Sequence, residues 1–160
     1  MAWPGKSQIY AYSILVQYNQ LTGKQTANSD TYKMALYGTG TPVNTGTTLG
    51  STEYGSSWNT CTEVSNSGTY SAGGAALTSP TSTQSTNTWV FACTTAISFT
   101  SATIAAYGCL IYDSTVSGSP GLCYLDFLGD QSVVGGTFTV TFAPNIAVIT
   151  CTYYQVRPPF

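Results

Sequence analysis

The chain has no histidine, and its 160 residues include only four basic and six acidic side chains, 6% charged in all. Ionisable groups carry most acid–base, metal and phosphate chemistry, so several classes of function lose their usual means. Lys6, Lys24, Lys33 and Arg157 stand singly. No basic patch results, and nucleic-acid binding is excluded. No C-x-x-C pair occurs and no histidine completes a zinc set, so no metal site is expected. No run of about 18 apolar residues exists to cross a membrane as a helix, and no membrane partner is expected. Lys6 followed by the stretch 9–16 faintly mimics a signal peptide. Tyr10, Tyr12 and Ser13 interrupt it, however, and no small-residue cleavage site follows.

What is present is material for packing. Hydrophobic residues make up 42% of the chain, with 12 tyrosines and 16 glycines. Ser, Thr and Asn are abundant but alternate with Val, Ile, Leu, Phe and Tyr, a pattern of folded β-structure rather than disorder. A net charge of −2 gives little mutual repulsion, so association is expected, as a homo-oligomer or with another subunit. Length and uniform composition indicate one domain over 1–160, with irregular arms at about 1–8 and 155–160. Five cysteines (Cys61, Cys93, Cys109, Cys123 and Cys151) have wide, irregular spacing. They read as small buried hydrophobes in a reducing compartment, the alternative being a disulfide between two of them in an oxidising one.

Residues 8–20 are ambiguous. Ile9, Tyr12 and Leu15 or Val16 form one helical face, whereas Tyr10, Tyr12, Ile14 and Val16 suit a strand; a short helix is the preferred reading. Strands are expected over 31–37, 60–64, 76–78, 88–94, 97–100, 103–112, 122–128, 137–142 and 146–154, with polar loops at 38–55 and 79–87. The fold class is therefore mainly β: a single antiparallel β-sandwich, immunoglobulin-like or jelly-roll, with a short N-terminal helix. In 137–142, Phe138, Val140 and Phe142 share a dry face and the threonines a wet one. Strict alternation over 103–112 places Ile104, Leu110 and Tyr112 on one face and Tyr107, Cys109 and Ile111 on the other. Both faces need cover, from the chain itself or from a neighbouring subunit.

Candidate chemistry is sparse. Asp113, Asp126 and Asp130 are the strongest catalytic candidates, since burial of Asp126 would raise its pKa and pairing with Asp130 would mimic a glycosidase dyad. The plainer reading is one strand aspartate on a wet face and one turn aspartate beside Gly129. No catalytic or cofactor-binding residue is assigned, no cofactor is expected, and the chain is read as no enzyme. Gly73-Gly74 has no lysine or helix start after it, so it is a tight bend rather than a phosphate cradle. Trp58, Trp89, Tyr153 and Tyr154 would serve a sugar-stacking platform, although such aromatics more often pack in cores and interfaces. Trp3, Tyr10, Tyr153, Tyr154 and Phe160 are the expected interface contacts of the arms and termini.

Four segments in sequence order carry a resemblance. DTYKMALYGTGTP (30–42), YSAGGAALTSPT (70–81), TWVFACTTAISFTSATIAAYGCLIYD (88–113) and YLDFLGDQSVVGGTFTVTF (124–142) together resemble a family of small β-rich structural proteins of tailed bacteriophages. The likeness spans about three-quarters of the chain, from 30 to 146, and rests on shared order because each motif alone is common. The cysteine content, the low charge and the tail beyond Ile149 depart from that family's pattern. The resemblance implies a virion component, a capsid decoration or minor capsid protein on the head surface, assembled in the bacterial cytoplasm. Its partners would be the major capsid protein or other virion proteins. Alternative readings are a neck, tail or fibre component and a secreted carbohydrate-binding module.

Overall fold

The computed structural model describes residues 8–9, 30–39, 54, 61–85, 88–93, 95–142 and 146–150. These residues form eight strands and no helix: β1 (Gln8–Ile9), β2 (Tyr32–Tyr37), β3 (Ala75–Ala76), β4 (Thr81–Ser85), β5 (Thr88–Ala92), β6 (Ile97–Asp113), β7 (Gly121–Val140) and β8 (Ala147–Thr150). All pairings are antiparallel. One sheet has the order β1-β7-β6-β2-β3 and a second the order β4-β5-β8. The chain is thus mainly β, in two sheets.

The N-terminal expectation is corrected where it is described. Gln8 and Ile9 pair with Tyr124 and Cys123 as a strand, not a helix, because β7 offers them an edge on which backbone groups find partners. The remainder of 10–29 lies outside the described residues. A second correction concerns 79–87. Thr81–Ser85 forms an edge strand although it carries only polar side chains, since its register against β5 supplies backbone bonds that need no apolar face. Conversely, 62–64 makes only an isolated bridge, Tyr37 to Glu63, rather than a ladder.

The framework is the β6–β7 hairpin, whose strands run 17 and 20 residues. Sequence patterning splits each of them in two; the structure joins the halves through irregular pairing. Phe99 faces Phe138 and Ala102 faces Gly136, so β6 carries one extra residue there, with Ser101 at φ 53°. Ile104 then faces Val133, so β7 carries the compensating residue, with Gly135 at φ 61°. A larger step follows. Ala106 faces Gln131 whereas Gly108 faces Asp126, leaving Tyr107 alone opposite four residues, 127–130.

These bulges overturn the strict face assignment. Ile97, Phe99, Ala102, Ile104, Ala106, Cys109 and Ile111 all enter one buried cluster, although their numbering changes parity twice. Leu110 and Tyr112 enter a second cluster with Ala35, Tyr37, Cys61 and Tyr124, and Tyr107 packs against it. Each bulge shifts the side-chain alternation by one, so Ile104 joins Cys109 and Ile111 while Tyr107 joins Leu110 and Tyr112. Both faces of the strand are covered from within the chain, as its apolar pattern requires. The alternation over 137–142 holds: Phe138, Val140 and Phe142 are buried and the intervening threonines are exposed.

The larger cluster draws on both sheets, bringing Phe91 of β5 against Tyr32 of β2 edge-on, with ring centroids 4.8 Å apart. Such a contact adds about 0.5–1.5 kcal/mol beyond area burial. Phe127 and Phe138 lie 6.4 Å apart between ring centroids. Straight extended chain would separate them by roughly 36 Å, so β7 bends back between its two bulged regions.

Candidate functional site

Among the described residues, a dense polar arrangement centres on Glu63. Tyr37 of β2 pairs with Glu63 on the edge of β2 opposite β6, and the backbone bond from Val64 to Leu36 holds the segment there. Both carboxylate oxygens are then engaged. Tyr54 Oη donates to Oε2 at 2.8 Å, Tyr70 Oη donates to Oε1 at 2.9 Å, and the Gly73 amide donates to Oε1 at 2.6 Å. Tyr112 Oη donates to the Gly73 carbonyl at 2.7 Å, and its ring stacks on Tyr54 at 4.5 Å. The Tyr70 hydroxyl also accepts from the Leu36 amide at 3.0 Å.

Gly73 and Gly74 make this hub possible. Both have positive φ, 93° and 69°. A Cβ on Gly74 would stand 1.7 Å from the Met34 carbonyl oxygen, so no other residue fits against β2 there. The bend is closed against Met34, and the Gly73 amide is taken by Glu63, which agrees with its reading as a chain turn.

Chemically, the hub is a brace. Burial, reinforced by the Glu63 charge, pushes Tyr112 up to about 12 and raises Tyr37 and Tyr54 well above the ordinary value of 10. Tyr70 is raised by the same burial and charge, against an opposing bond to the Leu36 backbone. These phenols stay protonated near neutrality, and Tyr54, Tyr70 and Tyr112 serve as hydrogen-bond donors. The buried thiols behave alike: burial pushes Cys123 up to about 12 and lifts Cys109 well above 9. Cys93, Cys109 and Cys123 are free thiols.

The sequence candidates are dispersed. Asp113 is fully buried at the end of β6, where Oδ1 accepts from the amides of Thr115 and Val116 at 2.8 and 3.4 Å and closes the turn toward β7. Asp126 Oδ1 accepts from the Leu128 amide at 2.7 Å, folding the start of the four-residue excursion. Asp130 is exposed on that excursion and lines an open cleft of about 580 Å³. The cleft is lined by Gly38 and Thr39 after β2, residues 62–67, Thr103, Ala105 and Tyr107 of β6, and Asp130 of β7. Trp3, Tyr10, Trp58, Tyr153, Tyr154 and Phe160 lie outside the described residues, as does the Trp89 side chain. Sequence reasoning missed the Glu63 hub. Its members come from 36 to 112 with no fixed spacing, and an abundance of tyrosine was the only signal.

No family model matches the chain, and no curated protein or solved structure matches it either.

Proposed function

We propose that this chain is a structural protein of a tailed-bacteriophage virion: a capsid decoration or minor capsid protein that reinforces the head lattice. In this reading it sits on the head surface and contacts the major capsid protein and further copies of itself. The two sheets are then halves of one β-sandwich, a reading supported by the cluster they share and by the contact of Tyr32 with Phe91.

One observation carries the functional reading. Glu63, Asp113 and Asp126 are committed to bonds within the chain, while β7 displays Leu128 and Val134 to solvent, 77% and 86% exposed. Carboxylates spent on bracing and apolar side chains turned outward suit a protein that works by being packed against others. The resemblance of four ordered segments to small phage structural proteins favours the same reading.

The test is the copy number of the chain relative to the major capsid protein in purified particles, by quantitative mass spectrometry. A ratio near one, or a simple lattice fraction, is expected. A handful of copies would transfer the assignment to the neck, tail or a fibre. Absence from particles would overturn both and favour the secreted binding module.

A further inference from the structure

We propose that the cleft between β6, residues 62–67 and the β7 excursion binds a neutral saccharide. The excursion is the first ground. Pairing of β6 and β7 is regular from Ile111 to Gly108 and again from Ala106 to Ile104, in frames three residues apart, so residues 127–130 are set outside the ladder between them. They hold Leu128 at φ 62°, a conformation unfavourable for a residue with a side chain. Bulges of this kind commonly re-aim a side chain beside a binding site, and local strain concentrates at such sites. Here the excursion lies directly opposite Tyr107, and both Tyr107 and Asp130 line the cleft.

The second ground is the lining. Tyr107 lines the cleft and is half-buried, and Thr39, Thr62, Ser65 and Asn66 are hydroxyl- or amide-bearing residues of the same lining, the Asn66 side-chain oxygen accepting from the Ala72 amide at 2.7 Å. Among the described lining residues none is basic, and Glu63 and Asp130 are acidic, so phosphate, sulfate and acidic sugars are disfavoured. A ring with apolar C–H faces and hydroxyl edges meets both requirements: stacking on Tyr107 and donation to Asp130. The third ground is rigidity. Glu63, held by two phenols and the Gly73 amide, fixes the wall in advance, which lowers the ordering that binding would demand. This site is separate from the aromatic set that the sequence suggested, and it does not depend on the virion assignment.

The test is NMR titration of the ¹⁵N-labelled full chain with maltotriose and chitotriose, with 3′-sialyllactose and tetramethylammonium as controls. Expected is saturable binding of at least one neutral trisaccharide with a Kd on the order of 1 mM, with shifts confined to the amides of Thr39, Ser65, Ala105, Tyr107 and Asp130. Asp130→Ala, at an exposed position, is expected to retain the dispersed spectrum and weaken binding at least fivefold; Tyr107→Leu is expected to weaken it at least as much. No saturable shift with either neutral probe, shifts centred elsewhere, or unchanged affinity in Asp130→Ala would overturn the proposal. Equal or tighter binding of sialyllactose or tetramethylammonium would overturn the ligand class.

Discussion

At the scale of single residues, Glu63 shows what a lone carboxylate accomplishes in a chain with so few charges. It accepts from Tyr54, Tyr70 and Gly73, so three donors from separate segments depend on one side chain. Glu63→Ala strands those donors and is expected to lower stability by about 2–3 kcal/mol. Glu63→Gln keeps one oxygen for Tyr70 and Gly73, while its amide donates to a rotated Tyr54 hydroxyl; the loss is expected to be about 1 kcal/mol. Urea unfolding of the two variants checks the order, and equal losses would show that the negative charge, which both variants lack, decides rather than the hydrogen bonds that glutamine keeps. The Gly73-Gly74 bend was legible in the sequence, but the role of Glu63 was not, because its partners carry no spacing signature.

At the scale of elements, legibility divides at the bulges. Strands with unbroken alternation were readable: Phe138, Val140 and Phe142 face inward as their spacing requires. The same reasoning failed for Ile104 and Tyr107 because an inserted residue changes which face the rest of the strand presents, and Ser101 gives no hint of one. Gly129 and Gly135 mark the irregular regions of β7 in the sequence, but turn-forming glycines separate strands as often as they kink one. β4 was missed for the opposite reason, being a strand with no apolar residue to reveal it. The excursion yields a prediction of its own. Leu128 is exposed and left-handed, so Leu128→Gly trades strain of about 1–2 kcal/mol against chain entropy of about 0.5–1 kcal/mol and is expected to leave stability unchanged or raise it slightly. Phe138→Ala in the buried cluster is expected to cost about 3–5 kcal/mol. Thermal and urea midpoints measured side by side decide it, and a loss above about 1 kcal/mol at Leu128 would remove the strain argument.

At the scale of the whole molecule, buried phenols and thiols set the behaviour at high pH. Their folded pKa values lie above the unfolded ones, so the unfolded chain releases protons first. The stability they contribute is complete below the unfolded values and drains away as pH rises toward the folded ones. The denaturation midpoint is therefore expected to hold steady near neutrality. It should fall above pH 9, where thiols matching Cys109 and Cys123 ionise in the unfolded chain, and more steeply above 10 as the tyrosines follow. A midpoint constant to pH 11 would contradict this account.

The three-residue step between β6 and β7 has a consequence in time. Pairs nearest the turn close the shortest loops, so Tyr112 with Gly121 and Leu110 with Tyr124 form at the least entropic expense. A zipper advancing from there shifts once between Tyr112 and Ile111, then keeps one frame as far as Gly108 and Asp126, and the next native pair, Ala106 with Gln131, lies three residues out of it. Progress halts until residues 127–130 have looped out and the Leu128 amide has met Asp126. Pulse-labelling hydrogen exchange during refolding is expected to show the amides around 109–112 and 121–125 protected before those around 97–106 and 131–140; simultaneous protection would rule out the halt. The halves of this hairpin are thus contiguous in space but successive in their history, with the outward-facing Leu128 at the joint between them.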